Sequence, residues 1–151
     1  MTNNIKFSSL LDIKYRDALE ELLFFNPQQH KFISDIIDCI ETFGQPLIVE
    51  DNGFLRIHVE GLPDVQYLYA LECSSGDTNP IGVIIYNRID SQNIVLMHIG
   101  VKEEYLSTGK YADKLVAITL INRLREVAKA IKGVKNILMM YGAGDIIKIR
   151  T

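Results

Sequence analysis

The sequence predicts one α+β domain, and three observations carry the prediction. Apolar residues recur at helical spacing through the first forty-odd positions; runs alternating with a period of two fill the middle; one long helical pattern and two short strand-like runs close the chain. At 151 residues the chain has the size of a single domain able to bury a core without disulfides or metals. Hydrophobic residues at 48% and charged residues at 23% exclude a disordered or collagen-like chain.

Ser8 or Ser9 is placed to cap a first helix. In it Leu11, Tyr15, Ala18, Leu19, Leu22 and Leu23 share one face, while Asp12, Arg16, Asp17, Glu20 and Glu21 lie mostly on the other. Asn26-Pro27 separates it from a second helix, because proline disfavours helix at the residue before it and is tolerated in a first turn. The buried stripe of that second helix is predicted as Phe32, Ile33, Ile36, Ile37, Ile40 and Phe43, with Gly44 and Pro46 as its stop.

From Leu47 the period changes to two. Strands are predicted at Leu47 to Val49, Phe54 to Val59, Gln66 to Leu71, Ile81 to Tyr86 and Ile94 to Val101. Asp51-Asn52-Gly53 is a hairpin signal, Gly61 to Asp64 a loop, and Ser74 to Pro80 a longer polar loop containing Gly76-Asp77. Such short links favour an antiparallel meander. Near Gly109 the helical period returns. Leu115, Ile118, Ile121, Leu124, Val127 and Ile131 mark a long helix ending before Gly133, with Ala112, Val116, Leu120 and Ala128 widening its apolar face and Arg123, Arg125, Lys129 and Lys132 reaching solvent. Strands at Asn136 to Tyr141 and Ile146 to Ile149 follow.

The charge balance narrows the partners. Sixteen Lys+Arg against 19 Asp+Glu give a formal net charge of -3, so no positive excess attracts phosphate backbones, and nucleic acid is not an expected partner. No apolar run approaches the roughly 20 residues that span a bilayer, and the first residues lack a basic segment followed by an apolar one, so no membrane partner and a cytoplasmic location are expected. Cys39 and Cys73 have no second cysteine or histidine at ligand spacing; both read as small buried apolar residues, and no metal is expected.

The order of elements, two helices, a strand meander, a strand ending at Val101, a loop, a long helix and another strand, resembles the GNAT superfamily of acyl-CoA-dependent N-acyltransferases. The residues that carry the resemblance run from Ile94 to Val101, from Lys102 to Leu115 and from Lys135 to Tyr141. A GNAT-like fold implies a largely antiparallel central sheet of about six to seven strands with one long helix packed on it. It implies acetyl-CoA or another acyl-CoA as co-substrate, and an amine, small molecule or peptide, as acceptor. The strand before the loop would splay from its neighbour, making Ile99, Gly100 and Val101 contacts for the pantetheine arm.

Helix N-termini carry unpaired N–H groups and the positive end of the dipole, which is why a pyrophosphate would sit there. Ser107, Thr108, Gly109, Lys110, Tyr111 and Ala112 are the residues concerned. The family loop reads Arg or Gln, two residues, Gly, one residue, then Gly or Ala; Leu106 and Tyr111 stand at its first and last positions, and Gly109 matches. A glycine there serves equally as a structural helix start.

Glu103 and Glu104 are candidate general bases and equally ordinary solvated charges; Tyr141 is a candidate acid for the departing thiolate and equally a cap on the core. His98 alternates with Ile94 and Leu96 and reads as a core histidine. Two further functions fit the chain: a non-catalytic module on the same scaffold, and a chaperone-like protein that works as a homodimer and holds a partner polypeptide.

Overall fold

A computed structural model describes residues 4–24, 33–62, 64–74, 77–105, 109–111, 115–139 and 146–148. Two layers of helix enclose a mixed sheet. In chain order the elements are β1 (Asn4–Ser8), a 3-10 turn (Ile13–Tyr15) running into α1 (Arg16–Phe24), α2 (Ile33–Phe43), β2 (Pro46–Asp51), β3 (Phe54–Val59), β4 (Gln66–Ser74), β5 (Asp77–Arg88), β6 (Asn93–Val101), α3 (Val116–Ala130), β7 (Asn136–Met139) and β8 (Ile146–Lys148). Six strands form one sheet in the order β1-β4-β5-β6-β7-β8, and β2 and β3 form a separate hairpin. Among the described strand pairs β6 and β7 are the parallel one, and α3 supplies the crossover that a parallel pair requires.

Alternation sends successive side chains of the central strands to opposite cores. Tyr69, Leu71, Val83, Ile85 and Val95 pack under α1, α2 and the hairpin, which contributes Leu55, Ile57 and Val59. Ala70, Ile84, Ile94 and Leu96 pack under α3, whose buried stripe is Val116, Leu120, Leu124 and Ala128 at a spacing of four. Gly82 lets that helix come close, because a Cβ there would lie 3.1 Å from both Leu120 and Val116.

Several expectations are corrected here. Ser8 ends β1, and the turn into α1 is capped by Asp12, whose carboxylate accepts from the Lys14 amide at 2.9 Å. The stretch from Ser74 to Pro80 is not a long loop: Ser74↔Asp77, Cys73↔Thr78, Glu72↔Asn79 and Leu71↔Pro80 are strand pairs. The hairpin β2–β3 stands outside the main sheet, with the left-handed pair Asn52 (φ 51°) and Gly53 (φ 83°) at its turn. Among the described side chains of α2 Cys39 is buried and Ile37 and Ile40 are exposed, while Phe32 of the predicted stripe lies outside the described residues. On α3, Leu115 and Ile118 are exposed, so Val116 and Leu120 define the face that packs. Cys73 is half-buried, whereas Cys39 is buried and its thiol is pushed up to about 11 by desolvation. Among the described residues no helix is long and apolar enough to cross a membrane.

Candidate functional site

The predicted site begins where β6 becomes irregular. Along β5 its partners run from Val101↔Gly82 to His98↔Ile85 and resume at Leu96↔Tyr86, so Met97 is an extra residue, a β-bulge. On the other edge, the described register with β7 is parallel and runs from Asn93↔Asn136 to Leu96↔Met139. The Met97 carbonyl, taken out of the β5 ladder by the bulge, accepts from the Cys39 thiol at 3.6 Å.

The extra residue also exchanges the two faces of the strand. Before it, Ile94 and Leu96 belong to the core under α3; after it, Val101 belongs to that same core and half-buried Ile99 packs against it. Simple alternation put Ile99 and Val101 with Val95 and Met97, and His98 with Ile94 and Leu96; the bulge overturns both. His98 instead faces α1, with Nε2 at 3.4 Å from the Leu22 carbonyl oxygen.

His98 is a buried core histidine, and desolvation lowers its pKa to about 4 against a weaker opposing effect of the Leu22 carbonyl. Unfolded, the imidazole keeps its ordinary value of 6.5, so between these limits the unfolded chain binds a proton that the folded one refuses. Its contribution is whole above pH 6.5 and disappears as pH falls towards 4. Urea unfolding is expected to show a loss of about 2 kcal/mol between pH 7 and pH 5 that is missing in His98→Gln.

Gly100 is buried beneath α1. A Cβ there would stand 2.3 Å from the Leu22 carbonyl oxygen and 3.2 Å from His98 Nε2, so the close approach that requires glycine is made by the last turn of α1.

After Val101 a 3-10 turn (Glu103–Tyr105) holds the two candidate bases. Both glutamates are exposed, and Glu104 lies 3.5 Å from the Lys102 ammonium. Gly109 folds back over this turn: its Cβ would lie 2.4 Å from the Glu103 carbonyl oxygen, and the Tyr111 amide donates to the Glu104 carbonyl at 2.6 Å. The rings of Tyr105 and Tyr111 pack at 5.0 Å, and the ammonium of exposed Lys110 stands 5.4 Å over the Tyr111 ring. The Tyr105 hydroxyl is buried and has no hydrogen-bond partner among the described residues. Leu106, Ser107, Thr108, Ala112 and Tyr141 lie outside the described residues.

The helix expected to open near Gly109 begins at Val116. Leu115 before it is left-handed (φ 52°), gives no side-chain cap, and no acidic residue occupies the first turn. Leu115 supplies its carbonyl to the Thr119 hydroxyl at 2.8 Å and amide at 2.9 Å. Among the described residues no side chain caps the amides of Val116, Ala117 and Ile118 and no carboxylate lies in that first turn, an arrangement that suits an anion. Sequence reasoning passed over these three because Gly109 drew the helix start seven residues too early.

No family model and no curated protein sequence matches the chain. Among solved structures, it is similar to an acetyltransferase from Streptococcus agalactiae, at 15% identity over 89% of this chain and 71% of that one, with a TM-score of 0.48. It is also similar to Arabidopsis thaliana NAA60 in complex with acetyl-CoA, at 16% identity over 90% of this chain and 74% of that one, with a TM-score of 0.49.

Proposed function

We propose that the chain binds acetyl-CoA, or another acyl-CoA, along the end of β6 and transfers the acyl group to an amine. The observation that carries this reading is the bulge at Met97, which breaks the β5–β6 ladder at one point of β6 ahead of the crossover to α3. A strand whose ladder is broken by a bulge can turn main chain towards an amide-bearing ligand, which pairs with it as a further strand would. Ile99, Gly100 and Val101 are the proposed contacts for such an arm.

The phosphates are assigned to the first turn of α3, at Val116, Ala117 and Ile118, with Lys110 supplying a cation from the preceding loop. Ser107, Thr108, Gly109, Tyr111 and Ala112 complete that loop in the proposal, and Gly109 has the added task of letting the loop close on the Glu103–Tyr105 turn. An acyl-CoA supplies the acyl group already activated as a thioester. The chain's own part is to take a proton from the attacking amine, for which Glu103 and Glu104 are the proposed bases, directly or through water, and to return one to the thiolate, for which Tyr141 is the proposed acid.

Calorimetric titration with acetyl-CoA is expected to show saturable, micromolar-range binding, on the order of 8 kcal/mol. A screen of amines with acetyl-CoA would then report thiol release. Binding without release from any amine would support the cofactor site and remove the transfer step from the proposal.

A further inference from the structure

Among the buried described side chains, Tyr105 stands apart. It is 6% exposed, its hydroxyl is enclosed, and that hydroxyl has no hydrogen-bond partner among the described residues. Tyr69, buried in the opposite core, shows the ordinary arrangement: its hydroxyl donates to the Leu55 carbonyl at 3.3 Å. An enclosed hydroxyl without a partner keeps the cost of its lost hydration, so a phenylalanine would serve the fold better at this position. Such a group calls for a role outside folding.

Its place in the chain says what it would meet. Tyr105 closes the 3-10 turn that follows Val101, and it belongs to the core that also holds Val101 and Val116, the first residue of α3. The Tyr111 ring packs against it at 5.0 Å, with the Lys110 ammonium 5.4 Å from the Tyr111 ring. The hydroxyl therefore lies between the strand end assigned to the pantetheine arm and the helix start assigned to the phosphates, beside the loop that carries the assigned cation. A phenol can donate, a phosphate oxygen accepts, and a hydrogen bond to a charged oxygen is the stronger kind. We propose, on the acyl-CoA reading and resting on it, that the Tyr105 hydroxyl donates to an oxygen of the bound pyrophosphate. Tyr111, half-buried against the same ring, must move its side chain aside for that contact to form.

The test measures Tyr105→Phe twice, by thermal unfolding without ligand and by calorimetric titration with CoA and with ADP, which has a pyrophosphate and no arm. Removing an unpaired hydroxyl is expected to leave the melting temperature unchanged or raised by a few degrees. Affinity for CoA and for ADP is expected to fall by the same factor, roughly tenfold. Tyr69→Phe is the control with the opposite signs: a lower melting temperature, because the Leu55 carbonyl loses its partner, and unchanged affinity for both ligands. A lowered melting temperature in Tyr105→Phe would mean that the hydroxyl is already satisfied, and would overturn the proposal. Equal affinity of wild type and Tyr105→Phe would overturn it while leaving the acyl-CoA reading in place. A loss for CoA without a loss for ADP would place the contact on the arm and overturn the phosphate assignment. Absence of CoA binding to the wild type would remove both readings together.

Discussion

Gly100→Ala is expected to destabilise the protein by about 3 kcal/mol, at the upper end of what one added methyl costs in a packed interior. The new Cβ would be placed 2.3 Å from the Leu22 carbonyl oxygen, a backbone atom held in the last part of α1 between buried Leu19 and Leu23. Neither element can give cheaply: β6 is the central strand between β5 and β7, and α1 carries three core leucines. For a domain of this size the loss corresponds to a fall in melting temperature of roughly 6 to 12 °C. An unchanged melting temperature would show that α1 does not lie on β6 as described.

The second large effect is in the opposite core. Leu120→Ala removes a side chain that is fully buried between α3 and the sheet and in van der Waals reach of Gly82. About 4 kcal/mol is expected from the lost transfer energy and the cavity left behind. Ile118→Ala on the same helix, where the side chain is exposed, is expected to stay within about 0.5 kcal/mol. Urea denaturation of the pair separates the packed face from the one that helical spacing of Leu115 and Ile118 suggested; equal losses would restore the latter.

Most elements were legible because period and punctuation agreed. Asn52-Gly53 marked a hairpin that has the left-handed geometry such a pair supplies, and Gly44 and Gly133 take positive φ after α2 and α3. What escaped notice has physical reasons. β1 is an edge strand of five residues in which Ile5 and Phe7 alternate with Asn4, Lys6 and Ser8, a pattern too short to stand out beside the helical spacing that follows it. The outer end of the β4–β5 hairpin is polar, and polarity reads as loop although strand pairs continue there. The bulge at Met97 is invisible in composition, since one inserted residue changes nothing except every face assignment after it.

At the candidate site the glycines were informative about closeness but not about what comes close. Gly100 faces the carbonyl of Leu22 and Gly109 the carbonyls of Glu103 and Glu104, so both are required by the chain's own backbone. A carboxylate introduced at Gly109 would disturb the loop whether or not phosphate binds nearby, and so cannot separate the two roles. The first turn of α3 can.

The most direct measurement is therefore calorimetric titration of acetyl-CoA into the wild type and Ile118→Glu. A carboxylate at this exposed first-turn position opposes a bound phosphate while stabilising the helix dipole by about 0.3–1 kcal/mol, so loss of binding cannot be attributed to loss of fold. The account predicts saturable binding to the wild type and a fall on the order of tenfold or more in the variant, with its melting temperature unchanged or raised. No binding to the folded wild type, or equal affinity in both proteins, would contradict it.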